Sequence, residues 1–88
     1  MTEVNRIKEI RLLSEEVMQM IVQDHYETHP LLLKRAIELL SQVVFDFSIL
    51  ESDEMCDKEE LLKGTLAKMK IAHNAVYTGI GDKDEAIS

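Results

Sequence analysis

The chain has 88 residues, of which 45% are hydrophobic, and a formal net charge of −7. One cysteine, one proline and three glycines exclude an internal disulfide and argue against a disordered or loop-rich chain. The acidic composition lacks the clustered lysine and arginine that a polyanion requires, so no nucleic-acid partner is expected.

Eighty-eight residues make one domain, and the helical part is expected to span 1–80. A chain of this size buries only about 60–65% of the surface exposed by its unfolded form, which leaves a monomer marginal. With no disulfide to help, association with another chain is the expected supplement. The acids are unevenly spread. Glu51, Asp53, Glu54, Asp57, Glu59 and Glu60 stand against Lys58 alone in residues 51–60, which favours solubility and a basic partner.

The first helix is predicted over about 3–27, with Thr2 as its N-cap. Its apolar stripe is Val4, Ile7, Ile10, Leu13, Val17, Met18, Met20 and Ile21, repeating at helical spacing. Thr28-His29-Pro30 breaks it, because the residue before a proline is pushed out of the α region. Proline is also well suited to the first turn of a helix, so Pro30 opens the second one, over about 30–50.

Thirteen of the twenty residues Leu31–Leu50 are apolar, and they do not fit on one face. At about 100° per residue, Leu32, Leu33, Ala36, Ile37, Leu39, Leu40, Val43, Val44, Phe47 and Leu50 fill one broad arc. Leu31, Phe45 and Ile49 fall on the far side, among Lys34, Arg35, Glu38, Gln42 and Asp46. The stretch is long enough to suggest a membrane span, but each charge at mid-bilayer costs about 2.5–3.5 kcal/mol. No span is expected. Met1–Arg11 has no apolar h-region, so no export signal is read and the cytoplasm is the expected compartment.

The third helix is predicted over about 57–78. Asp57 caps it and Glu60 stands three residues on, a variant of the capping box. Its apolar side is Leu61, Leu62, Leu66, Met69, Ala72, Val76 and Ile80. Gly79 and Gly81 are expected to end it, leaving 81–88 as a disordered tail. The fold class is therefore all-α: an up-down-up three-helix unit with the second helix between or against the other two. Because that helix carries surplus apolar surface, the unit is expected to associate into a homodimeric bundle.

Candidate sites are few. His25 and His29 stand four apart, and His73 lies on the apolar face of the third helix. An up-down-up arrangement brings these ends together, and three imidazoles with an open position can hold zinc. Cys56 sits among carboxylates, which hold back a thiolate. The serines form no nucleophile elbow and the glycines no phosphate loop. The acids at 51–60 lack the alternation and central glycine of a calcium loop.

No catalytic signature and no cofactor motif emerge, so a non-enzymatic interaction module is expected. Its size and acidity suit a chaperone or co-chaperone, an immunity or anti-toxin protein, or a regulatory inhibitor. Leu31, Phe45 and Ile49 would supply apolar anchors, with Glu38 and Asp46 setting charge complementarity toward another protein. The alternative is a metal-binding helical protein using His25, His29 and His73.

Overall fold

The computed structural model describes residues 2–23 and 26–87, with side chains described at 4–23 and 26–78. Three helices make up the fold: α1 over Thr2–Ile21, α2 over Pro30–Ser52 and α3 over Lys58–Ile87. No strand occurs among the described residues. The expected all-α, three-helix architecture is present. The molecule is an elongated body of 50 × 23 × 18 Å, its length set by the thirty residues of α3, about 45 Å of helix.

The helix starts follow local chemistry. Pro30 occupies the first turn of α2, and His29 caps it in an extended conformation, φ −65° and ψ 135°. The His29 Nδ1 accepts from the Leu31 N–H at 3.1 Å, which satisfies one donor that the helix cannot. Two aspartates build the turn between α2 and α3. Asp53 accepts from the Met55 N–H at 2.9 Å, and Asp57 accepts from the Glu60 N–H at 3.1 Å as the cap of α3.

Helix ends depart from the sequence reading in two places. α1 stops at Ile21 rather than near residue 27, tightening into short-range bonds such as Gln23 N–H to the Met20 carbonyl. Tyr26 then leaves the helix and packs against the core, its hydroxyl 3.4 Å from the Val76 carbonyl. At the other end α3 continues to Ile87, so Gly79 and Gly81 lie inside the helix and 81–87 is not an irregular tail. A glycine stops a helix by turning to positive φ, and no glycine among the described residues does so.

The order of the layers also differs from expectation. α3, not α2, is the middle helix: it packs against both neighbours, while α1 and α2 make no backbone approach within 8 Å. Each helix contributes a seam at alternating spacings of three and four, the pattern of near-parallel helix packing. The seams are Ile10, Leu13, Val17 and Met20 on α1, and Ala36, Leu40, Val43, Phe47 and Leu50 on α2. They meet over Leu62, Met69 and Val76 of α3, which are almost wholly buried. Tyr26 explains part of this order, because it ties the α1–α2 connection to α3.

α1 runs parallel to α3, and three polar contacts mark the register: Arg6 to Glu59 at 3.5 Å, Glu9 to Lys70 at 3.6 Å, and Glu16 to His73 at 2.7 Å. Such partly exposed pairs contribute little stability. They do establish which side of α1 faces α3.

Gly64 is exposed on α3, and a Cβ added there would meet nothing within 4 Å. Gly64→Ala is therefore expected to stabilise the protein by about 1 kcal/mol, the helix-propensity difference. A rise in the urea midpoint at unchanged slope checks it.

Candidate functional site

Large apolar side chains that stay in water are the first feature to explain. On α2, Leu33, Ile37 and Val44 are exposed, at 40%, 56% and 70%, and half-buried Leu40 lies between them. Their spacing of four, three and four places them in one stripe. That stripe belongs to the broad apolar arc read from the sequence. Only Ala36, Leu39 and Val43 of that arc are fully buried.

α1 repeats the arrangement. Its contacts with α3 come from Arg6, Glu9 and Glu16 on one side of the Ile10–Val17 seam. On the other side of that seam stand Ile7, Met18 and Ile21, all exposed. On α2, likewise, Asp46 faces α3 from one side of the Ala36–Val43 seam, and the exposed stripe occupies the other. α1 and α2 run in opposite directions on either side of α3, and on each the stripe lies on the same rotational side of the seam, so both exposed stripes turn toward the same side of the molecule. They form an α1–α2 face about three turns long.

The residues singled out by sequence do not form a single site. Leu31 is 70% exposed and Phe45 63% exposed. Ile49 is half-buried, and Glu38 is exposed. Asp46 requires correction: it is 5% exposed and cannot present a charge to a partner. Its Oδ2 takes a hydrogen bond from the Thr65 hydroxyl at 2.9 Å and an ion pair from Lys68 Nζ at 2.8 Å. Burying a carboxylate is costly unless it is paired and hydrogen-bonded, and both conditions hold here. Asp46 joins α2 to α3.

Two of the three histidines are likewise engaged elsewhere. His29 spends its Nδ1 on capping α2, and His73 Nε2 lies 2.7 Å from Glu16 Oε1. His25 lies outside the described residues. No group of three or more metal-ligating side chains occurs among the described residues. Cys56 is half-buried and free, and the acids of 51–60 serve the turn through Asp53 and Asp57.

No family model, curated protein or solved structure gives a significant match to this chain. The function has to be read from the surface itself. Among the described residues, no helix is long and apolar enough to cross a membrane. An apolar face flanked by polar side chains has the form of a protein docking site.

The α1–α2 face was legible in part. The excess of apolar residues in α2 was visible from composition, whereas the choice of which arc stays uncovered was not. One signal pointed the right way: α1 and α2 each carry more apolar positions than a single seam can hide.

Proposed function

We propose that this chain is a small helical protein–protein interaction module that docks another polypeptide against its α1–α2 face. The observation that carries the reading is the coincidence of two exposed stripes, Ile7, Met18 and Ile21 on α1 with Leu33, Ile37 and Val44 on α2. A helix laid between them would find ridges on both sides, the geometry of helix-in-groove recognition. Chaperone, immunity and inhibitory roles all use such a face, and each fits this module.

A photo-crosslinking residue placed at Ile37 tests the reading in cells. Adducts with polypeptide are expected at Ile37 and not at Ala67, which is exposed on the solvent side of α3. Adducts at Phe45 with none at Ile37 would move docking about a quarter-turn round α2, off the Leu33–Val44 stripe, and overturn the proposal. Adducts at none of these positions would remove the docking role altogether.

A further inference from the structure

We propose that the occupant of the α1–α2 face is a second copy of this chain, with the two α2 helices antiparallel across a two-fold axis near Gln42. This rests on the docking reading above and names its partner.

Symmetry is the first argument. The α2 stripe reads Leu33, Ile37, Leu40, Val44 and Phe47, at spacings of four, three, four and three; Leu40 and Phe47 are half-buried against the chain's own core and offer only their outer edges. In an antiparallel pair such a stripe is complementary to itself. Leu40 of one copy meets Val44 of the other, and Ile37 meets Phe47.

Charge decides between the two directions. The chain carries −7, so two copies repel unless the acids stay apart. The charged residues beside the stripes are Lys34 and Glu51 on α2 and Lys8, Arg11 and Glu15 on α1, three basic and two acidic. The face is thus nearly neutral in an acidic molecule. A parallel pair would stack the two acidic 51–60 turns on one another. The antiparallel pair sends them to opposite ends and sets Lys34 of each copy beside Glu51 of the other.

The test is sedimentation equilibrium on the full chain, with circular dichroism to follow helicity. Wild type is expected to be a dimer across the concentration range of the experiment. Ile37→Glu, and independently Val44→Lys, are expected to give helical monomers, because both side chains are exposed within one copy. Lys34→Glu and Glu51→Lys should each weaken the dimer about fivefold, and the double exchange should restore it. A dimer lost with Ile37→Glu, but whose weakening by Lys34→Glu or Glu51→Lys the double exchange fails to reverse, overturns the antiparallel register. A dimer untouched by Ile37→Glu overturns the choice of face. If wild type is a monomer, the second-copy assignment falls, and an apolar dye then separates the two ideas. Dye binding that Ile37→Glu abolishes leaves the docking face standing with a different occupant, whereas no dye binding removes both.

Discussion

Met69→Ala is expected to lower the unfolding free energy by about 2–4 kcal/mol, the range for truncating a buried long apolar side chain. Met69 is 1% exposed and lies where the seams of all three helices meet. A void there is bounded by α1, α2 and α3 together, so no single helix can shift to close it without opening another contact. For 88 residues the total stability is of the order of 4–13 kcal/mol, so the loss is a substantial part of the whole. Urea denaturation followed by helical ellipticity measures it. Leu31→Ala, at an exposed position, is the control and should fall within about 0.5 kcal/mol of wild type. Equal effects from the two changes would refute a core centred on α3.

Lys68→Met is expected to destabilise by about 2–3 kcal/mol, because it leaves the Asp46 carboxylate buried without its cation. Breaking one side of a buried pair costs about 3–5 kcal/mol. The lower value is expected here because the Lys68 side chain remains one-third exposed, so water can approach the site. The double change Asp46→Leu with Lys68→Met should recover most of the loss, since it removes both charges and restores apolar packing. A double-mutant cycle reads this directly. If the double variant were as unstable as the sum of the singles, Asp46 and Lys68 would not be acting as a pair.

Asp46 also shows how reading charge as exposure can mislead. Its carboxylate placed it with the polar side, yet at about 100° per residue it lies about 20° from Leu39 and about 40° from Gln42. Ala36, Leu39, Val43 and Asp46, at spacings of three, four and three, are the buried residues of α2. The turn between α2 and α3 puts Asp46 level with Thr65, each about ten residues from the turn's centre, and Lys68 stands a turn further along α3 and reaches the same carboxylate. Phe45, one residue earlier, is carried round to the exposed side. Hydropathy alone ranks the two the other way.

Local chemistry was enough to specify the helical class, the number of helices, and the punctuation at Pro30 and Asp57. Each depends on groups within a few residues: a fixed proline φ, a side chain that caps a free N–H, and apolar positions recurring every three or four residues. The same residues also showed that α2 has more apolar surface than one seam can cover. Packing in three dimensions then placed α3 in the middle, took Asp46 into the interior, and divided the uncovered surface between α1 and α2. Those outcomes depend on which arc of each helix is turned inward. A broad apolar arc permits several rotations of similar burial, and the choice is made by contacts between residues distant in the chain, such as Tyr26 with Val76 and Asp46 with Lys68.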